Sequence, residues 1–340
     1  MIESSKTEIN ICLIFRKKRA GFYSIETLFD SLIKYLSDNF VVKKLFLPYE
    51  LSLGGFLKNI LFVRKLKSCD VCHITGDVHY VLPFCRGKKV LTIHDLRNIF
   101  EYRGIKRWLY KFLWFKLPIY YADKITVISE FTFGELKKQF KFINSTQIIP
   151  DCVDDEWFLE RRPEERRFFN RILFIGTKPN KNLDRVIKAV EGLRVKLIII
   201  GRLFDYQKNA LKNAGADYEN FYDLSKEQVR EQYLRSDVLL FPSLYEGFGL
   251  PIIEAQALGV PVITSNKPPM NQIAGKAALF IDPMNVDSIH KAIVEIMSNI
   301  ALRNRLIMQG YINARKYKCS QVAQLYEKVY YEVLGLKKCK

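Results

Sequence analysis

The sequence predicts an α/β fold with two domains, each built on a doubly wound parallel sheet. Strand-like and helix-like segments alternate along the chain, and the alternation runs through two successive series. Repeated strand–helix–strand units form parallel sheets that helices cover on both faces. With 340 residues, the chain is long enough for two domains of ordinary size, each with its own core.

The first series predicts an amino-terminal Rossmann-like domain over residues 1–155. Its strands are predicted from short apolar runs, which suit strands that are buried on both faces. These strands are predicted at 8–15, 40–48, 70–76, 88–95, 123–130 and 146–153, and the first helix at 24–36. The chain between and after these runs is amphipathic, as helices that cover a sheet are.

The second series predicts a carboxyl-terminal Rossmann-like domain over residues 169–312. Its strands are predicted at 171–177, 195–201, 237–243, 260–266 and 277–283. One helix is clear, because apolar side chains recur at helical spacing at Leu183, Val186, Ile187, Val190 and Leu193. The charge-dense stretch 156–168 contains Pro163 and is predicted to be a linker. We expect a helix in 313–340 to cross back to the first domain.

Strand ends are where this fold is expected to bind its ligands. In open parallel sheets, ligands bind beyond the carboxyl ends of the strands. We therefore expect the two domains to face each other across a cleft, with the functional residues in the loops that follow the strands.

The stretch 241–259 carries the strongest site pattern. It reads as a buried strand end, a loop broken by Gly247 and Gly249, and a helix start at Pro251. Amides at a helix start bind anionic or hydroxyl-rich groups. Glu246 and Glu254 flank this loop and can serve two ends of one elongated ligand, since helical side chains lean toward the amino terminus. The alternative, two surface charges, does not explain their placement around a Gly-Phe-Gly loop.

A second pattern follows the strand that begins at Arg171. This strand stops at Gly176, and a basic loop leads to a helix from Asn182 onward. Lys181, at that helix start, can neutralise a diphosphate whose oxygens face the same amides; the alternative is a solvated surface lysine. The sequence contains no Asp-x-Asp motif, so we expect no metal ion and no cofactor.

Two weaker candidates lie in the first domain. His94 ends a predicted strand, so either a substrate contact or a structural hydrogen bond is open to it. His73 and His79 are weaker candidates than His94, and no motif supports His290. In the basic loop after the first strand, Gly21 would let the backbone approach a phosphate, unless the loop is simply solvated.

The formal charge of +18 and the pI near 9.5 indicate an anionic partner. A phosphorylated substrate, an acidic membrane surface and a nucleic acid all satisfy this condition. The segment 106–118 interleaves basic and aromatic residues, which suits a helix lying on an anionic bilayer. It equally suits a packed helix of the first domain. Basic residues in 58–67 add slightly to a basic face there.

Targeting signals and cysteine usage both predict a cytoplasmic protein. The run Ile9–Phe15 is too short for a signal peptide and its basic residues follow it, and no stretch approaches the ~20 apolar residues of a membrane span. The seven cysteines are odd in number and scattered, which predicts reduced, buried thiols. Cys69 and Cys72 form a CxxC pair, interpreted as structural because no second pair stands at zinc-finger spacing.

These motifs resemble the retaining glycosyltransferases of family 4, which have the GT-B architecture. The resemblance covers nearly the whole chain and is strongest over 171–283, where Glu246 and Glu254 match the family's E-x7-E pair. It implies that Glu254 binds the ribose of a nucleotide sugar and that Lys181 binds its diphosphate. It also implies that His94 and Glu246 act at the transferred sugar as the catalytic residues. The remaining donor-binding positions that it implies are Gly21, Thr177, Phe248, Gly249 and Leu250.

The chain departs from the family pattern at several positions. Thr177 stands where many members carry an arginine, and Lys178 or Arg202 is the candidate substitute. Gly21 follows an alanine rather than a second glycine, and Gln272 stands where a glutamate is frequent. Residues 316–320 contain no tryptophan, although family members commonly carry one at this place near the carboxyl terminus.

The predicted function is transfer of a sugar from a nucleoside diphosphate sugar to a hydroxyl of a glycan or lipid-linked glycan. The resemblance implies retained anomeric configuration, no metal, and a role in cell-surface polysaccharide assembly, at the inner face of the cytoplasmic membrane. One alternative is a nucleic-acid-binding protein, although the charge is dispersed and no reading module stands out. Another is a nucleotide-sugar epimerase of the same architecture.

Overall fold

The computed structural model describes residues 8–18, 24–141, 145–159 and 169–336. Its contacts divide the chain into two compact units, one of Met1–Asp151 with Cys319–Lys340 and the other of Cys152–Lys318. Each unit contains one six-stranded sheet whose neighbouring strands are parallel. The prediction of two parallel-sheet α/β domains is therefore confirmed.

The sheet of the amino-terminal unit has the strand order β2-β1-β3-β4-β5-β6. Its strands are β1 Ile9–Phe15, β2 Phe40–Phe46, β3 Val71–Ile74, β4 Lys88–Ile93, β5 Lys124–Val127 and β6 Thr146–Ile148. All six predicted strands are present, but most end before their predicted carboxyl limit. The residues left over, His94 among them, lie in the loops that follow the strands.

In the described ranges before the last strand, this unit has six α-helices. They are α1 Ser24–Ile33, α2 Leu53–Arg64, α3 Arg97–Glu101, α4 Gly104–Lys111, α5 Leu117–Tyr121 and α6 Glu130–Gln139. The basic and aromatic segment, predicted as one helix, is divided into α4, a π-helical turn at Phe112–Lys116, and α5. A π-turn changes which side chains share a face. Accordingly, α4 has no buried residue, whereas Trp114 and Phe115 in the turn are buried.

The sheet of the carboxyl-terminal unit has the strand order β12-β11-β10-β7-β8-β9. Its strands are β7 Arg171–Ile175, β8 Lys196–Ile200, β9 Asp217–Phe221, β10 Val238–Phe241, β11 Val262–Ser265 and β12 Leu279–Ile281. The sequence did not predict β9. This strand lies at the sheet edge and contains three polar and two aromatic residues, so it lacks the continuous apolar run of the buried strands.

Seven helices cover this second sheet and its connections. They are α7 Leu183–Ala189, α8 Asp205–Asn213, α9 Lys226–Arg235, α10 Leu250–Ala257, α11 Met270–Ala274, α12 Val286–Ser298 and α13 Ile300–Ala314. Buried side chains of β7, β8 and β10, such as Phe174, Ile199 and Leu240, pack against Ile187 of α7 and Ile293 of α12. This core fixes the strand ends that carry the candidate site.

The last helix, α14 at Cys319–Leu334, belongs to the amino-terminal unit. Its Glu327 accepts hydrogen bonds from the amide and hydroxyl of Ser37, and its Tyr331 accepts one from Asn39 at 2.6 Å. The contacts place the return to this unit at Cys319, whereas the sequence placed it at 313. Most of the predicted linker 156–168 lies outside the described residues.

Two cysteines differ from the sequence-based expectation. Cys152 and Cys319 are disulfide-bonded, so the prediction that the thiols are reduced is wrong for them. Each is the first residue after a boundary between the two units, a position that no local spacing pattern reveals. Cys12, Cys69, Cys72 and Cys85 are free. No helix in the described part of the chain is long and apolar enough to cross a membrane.

Candidate active site

The loop between β10 and α10 has the form that its glycines predict. All four residues of β10 are buried, and α10 begins at Leu250 with Pro251 in its first turn. Gly249 precedes the helix in a left-handed conformation, with φ of +110°. The Phe248 side chain is buried and packs edge to face on Tyr317, with ring centroids 5.6 Å apart. The loop is thus anchored by a side chain at its tip, next to the start of the helix.

Lys181 and Glu246, which are 65 positions apart, are in direct contact. The Lys181 Nζ lies 2.6 Å from Glu246 Oε1, and only 18% and 16% of the two side chains are exposed. The lysine also lies over the ring of Phe241, 4.7 Å from its centroid. Asn180 donates a 3.0 Å hydrogen bond to the Tyr245 carbonyl, which holds the loop after β7 against the loop after β10. The two carboxyl strand ends therefore meet at this ion pair.

Gly176 makes room for the lysine. A Cβ built at Gly176 would lie 2.9 Å from both Cγ and Cε of Lys181, and the glycine has a φ of +91°. The aliphatic stem of Lys181 therefore runs directly over a position that has to lack a side chain. Asn182, which the sequence analysis did not select, donates to the carbonyls of Pro242 at 3.2 Å and Pro283 at 2.7 Å. It fixes the start of α7 to the loops that follow β10 and β12.

Thr177 is buried and bonded to the backbone of the next loop. Its hydroxyl donates to the Arg202 carbonyl at 2.6 Å, and Gln207 donates to its own carbonyl at 2.9 Å. The Arg202 side chain is 68% exposed, pairs with Asp223 and lies over the ring of Tyr222. The candidate substitutes for the family arginine, Lys178 and Arg202, are thus both solvent-facing side chains.

Glu254 lies in α10 beside a buried tyrosine. Tyr233, on α9, is fully buried and donates a 2.6 Å hydrogen bond from its hydroxyl to Glu254 Oε2. Burial raises the pKa of Glu254 to about 7, while the Tyr233 hydrogen bond and the charge of Lys226 act in the opposite direction. Tyr233 is a residue of the site that sequence reasoning missed, because one apolar-looking helix position gives no signal of this bond.

His94 directly follows β4 in the amino-terminal unit. Its Nε2 donates to the Thr75 carbonyl at 2.7 Å, and its Nδ1 lies 3.8 Å from Asp151 Oδ1. Burial raises the pKa of Asp151, and the nearby His94 opposes that rise. A Cβ at Gly76 would lie 3.1 Å from the His94 ring, so this glycine also leaves space for a candidate residue. Asp151 and Thr75 were not predicted.

The other candidates have structural contacts or lie outside the described residues. His73 lies between the hydroxyls of Tyr330 at 2.9 Å and Thr92 at 2.7 Å, and burial lowers its pKa to about 3. His79 and His290 bond to main-chain carbonyls. Gly21 lies outside the described residues. No group of three or more His, Cys, Asp or Glu side chains in the described ranges is arranged to hold a metal ion.

Comparison with known sequences identifies one family and several relatives. Residues 156–312 match the family model of the group 1 glycosyl transferases. O-antigen chain mannosyltransferase B of Escherichia coli is 26% identical over 271 residues, 72% of this chain and 70% of the relative. O-antigen chain mannosyltransferase RfbU of Salmonella typhimurium is 27% identical over 64% of this chain and 63% of its own length, slightly under two thirds.

Comparison with solved structures concerns the fold. Sucrose-phosphate synthase from Thermosynechococcus elongatus superposes with a TM-score of 0.80 at 16% identity, covering 96% of this chain and 100% of the other. WaaG, a glycosyltransferase involved in lipopolysaccharide biosynthesis, superposes with a TM-score of 0.72 at 14% identity and the same coverage. At such low sequence identities, these superpositions show similarity of fold alone.

Proposed function

We propose that this chain, a glycosyltransferase with the GT-B fold, moves a sugar from a nucleoside diphosphate sugar to a hydroxyl of a glycan or lipid-linked glycan. We further propose that the anomeric configuration is retained and that the product belongs to a cell-surface polysaccharide. The family-4 resemblance supports retention. The names of the O-antigen mannosyltransferases support the polysaccharide, and they make mannose the first sugar to test.

The observation that carries the proposal is the contact between Lys181 and Glu246 at the ends of β7 and β10. An ammonium group has three N–H donors, and one of them is directed at Glu246. The others can reach oxygens of a bound diphosphate, so the lysine can lie between the leaving group and a carboxylate that accepts from sugar hydroxyls. A lysine and a glutamate that were merely solvated would not be four-fifths buried together.

Glu254 has the position expected of a ribose ligand. It lies about one turn into α10, close to the amides that begin this helix. Its carboxylate already accepts from Tyr233 through Oε2. A carboxylate has several acceptor positions, so further hydroxyl donors can be bound, and the buried tyrosine fixes the direction in which they are received.

The proposed reaction needs no protein nucleophile. The acceptor oxygen attacks the anomeric carbon on the face from which the diphosphate departs, the bond from that carbon to the diphosphate oxygen breaks, and the diphosphate takes the acceptor proton. Lys181 and the α10 amides stabilise the charge that develops on the leaving group, which is why we propose that no metal ion is required. We assign His94 to the transferred sugar, as the resemblance implies, and its place after β4 supports this role.

We also propose that α4 rests on an anionic membrane surface where the acceptor is assembled. Its apolar residues Ile105, Trp108 and Leu109 are 71%, 59% and 45% exposed, and Lys106 and Arg107 lie among them. Exposed aromatic and basic side chains on one short helix suit the bilayer interface. Vesicle sedimentation tests this proposal, and equal binding to neutral and anionic lipid would contradict it.

A thermal-shift screen across UDP-, GDP-, ADP- and TDP-sugars tests the donor proposal. One donor, supplied well above its Kd, should raise the melting temperature. Glu254→Ala should remove most of that shift, whereas Glu191→Ala, an exposed glutamate of the same unit, should preserve it. No shift with any donor would contradict the proposal, and a full shift in Glu254→Ala would reject the ribose role.

A further inference from the structure

Four cysteines of the amino-terminal unit gather at one place. Cys12 lies on β1, Cys69 shortly before β3, Cys72 on β3, and Cys85 directly after the 3-10 turn His79–Phe84. Cys12 and Cys72 are register partners on adjacent strands. The Cys69 thiol interacts with those of Cys12 and Cys72, and the Cys72 thiol also interacts with that of Cys85. All four are free, so the cluster is a set of thiols each of which interacts with at least one other.

The cluster lies away from the candidate active site. Cys69 precedes β3 and Cys85 precedes β4, so both lie toward the amino-terminal ends of the strands. His94, in contrast, follows the carboxyl end of β4. The proposed sugar transfer therefore makes no use of these thiols, and the CxxC pair noted in the sequence is left without a role.

The thiols differ in their access to solvent. Cys12, Cys72 and Cys85 are 8%, 3% and 6% exposed, whereas Cys69 is partly exposed. The Cys69 Sγ approaches the Arg86 carbonyl at 3.7 Å, and Cys85 bonds to the Val81 carbonyl at 3.5 Å. The cluster thus has one partly exposed thiol and three buried thiols.

The same contacts make Cys69 more easily ionised than Cys12 or Cys72. Hydrogen bonding from Cys12, and then from Cys72, lowers the pKa of Cys69, while the pKa values of Cys12 and Cys72 are raised. The thiolate is the nucleophilic form of cysteine. An accessible, acidic thiol beside a second thiol is the arrangement of redox-sensitive cysteines. Buried cysteines that act only as small apolar side chains need no such contact.

We propose that Cys69 is an oxidation site, at which a peroxide converts Cys69 and either Cys12 or Cys72 into an intramolecular disulfide. The Cys69 thiolate attacks one peroxide oxygen, the O–O bond breaks, and the sulfur becomes a sulfenic acid while hydroxide leaves and takes up a proton to form water. The neighbouring thiol then attacks that sulfur and expels a second water. Two sulfurs are oxidised, two peroxide oxygens are reduced, and a dithiol reductant restores both thiols.

Mass spectrometry of the full-length chain tests this proposal. After one equivalent of hydrogen peroxide, the intact mass should fall by two hydrogens, about 2 Da, and dithiothreitol should restore it. Peptide mapping should place Cys69 in the new bond. The Cys69→Ser variant should lose this reversible change, and the matched variant Cys85→Ser should keep it, because the thiols that interact with Cys69 are those of Cys12 and Cys72.

A second measurement does not depend on whether the variants fold. In the reduced wild-type chain at neutral pH, iodoacetamide should alkylate Cys69 faster than Cys12, Cys72 or Cys85. The proposal is overturned if Cys69 reacts no faster than the buried thiols, or if the peroxide-induced bond excludes Cys69. Addition of oxygen without loss of hydrogen, or a stoichiometric metal ion that occupies the thiols of the purified chain, would overturn it as well.

Discussion

The side chain of Lys181 depends on a glycine five positions before it. A Cβ at Gly176 would lie 2.9 Å from the Lys181 stem, closer than Cβ atoms approach their neighbours in proteins. The ammonium group of the lysine reaches Glu246 in the loop after β10. The position of the charge that is meant to stabilise a leaving diphosphate is therefore set by backbone geometry as well as by the ion pair.

Gly176→Ala tests this dependence. The new methyl group would displace the Lys181 stem, and the positive φ would add strain, so we expect a loss of about 1–2 kcal/mol in stability and a clearly weaker donor affinity. Urea denaturation and donor titration measure the two effects.

Gly192→Ala is the matched control for that substitution. Gly192 also has a positive φ, of +79°, but a Cβ there would meet no atom within 4 Å. The Gly192→Ala variant should be less stable than the wild type but should bind the donor equally well. Equal donor affinity in wild type and Gly176→Ala would show that Lys181 does not need its present path.

Glu254 predicts a pH dependence of donor binding. Because its pKa is raised to about 7, the carboxylate that we propose as the acceptor of ribose hydroxyls forms only as the pH rises through that value. Donor affinity should therefore fall below pH 7, and in Glu254→Gln this dependence should be absent. In the wild type, the hydrogen bond from Tyr233 lowers the pKa of Glu254. Tyr233→Phe removes this bond, so the midpoint of the pH dependence should move to higher pH. A midpoint that stays in place in Tyr233→Phe would contradict the assignment.

The Glu254 carboxyl should affect stability in the direction opposite to its effect on donor affinity as the pH rises. A pKa of about 7 in the folded chain, against 4.5 for an unperturbed glutamate, means that the folded state holds the proton more tightly. The free energy of unfolding should therefore decrease as the pH rises from about 4.5 to about 7. This contribution is present at low pH, and Glu254→Gln should lack it.

At this scale the sequence revealed the charged residues of the site but not their partners. Lys181, Glu246 and Glu254 stand out because they flank glycines at strand ends. Tyr233, Asn182 and Asp151 do not stand out, because their bonds join positions 21 to 101 residues apart and depend on how the sheet is assembled.

Among the elements, buried strands were the most predictable and exposed ones the least. Every strand that we predicted from an apolar run is present, and most of these strands are largely buried, which requires apolar side chains in succession. Strand β9 escaped prediction because three of its five residues are polar, so it contains no apolar run. The division of the basic and aromatic segment by a π-turn was also missed, since a change in helical register leaves no mark on composition.

The helix α4 carries a prediction about membranes. Lys106→Glu combined with Arg107→Glu should reduce sedimentation with anionic vesicles several-fold, since each basic residue near an anionic surface contributes roughly 1 kcal/mol. The same reversal at Lys137 and Lys138 of α6 provides a control of equal charge. Equal losses in the two double variants would mean that net charge, rather than α4, governs the binding.

For the whole molecule, two-domain organisation was predictable but the boundaries were less so. The sequence placed the first boundary at 155 and the second at 312, whereas the contacts divide the chain at Asp151 and Lys318. The second boundary shifts because α13 continues to Ala314 and stays in the carboxyl-terminal unit. The predicted limit at 312 falls inside α13, whereas the change of unit falls between the 3-10 turn Arg315–Tyr317 and α14.

The fold and the relatives of this chain are those of glycosyltransferases rather than of nucleic-acid-binding proteins, which narrows the possible reasons for its net charge of +18. We propose that the positive charge attracts the diphosphate of the donor and an anionic membrane. The central proposal is that the carboxyl-terminal unit binds a sugar nucleotide through Lys181, Glu246 and Glu254 without a divalent ion.

Calorimetric titration of the preferred sugar nucleotide in the presence of EDTA tests that proposal most directly. Wild type and Lys188→Met, an exposed lysine of α7, should bind the donor equally well with EDTA and with magnesium. Lys181→Met should bind it at least tenfold more weakly in both conditions. Binding that disappears in EDTA, or that is unchanged in Lys181→Met, would contradict the proposal.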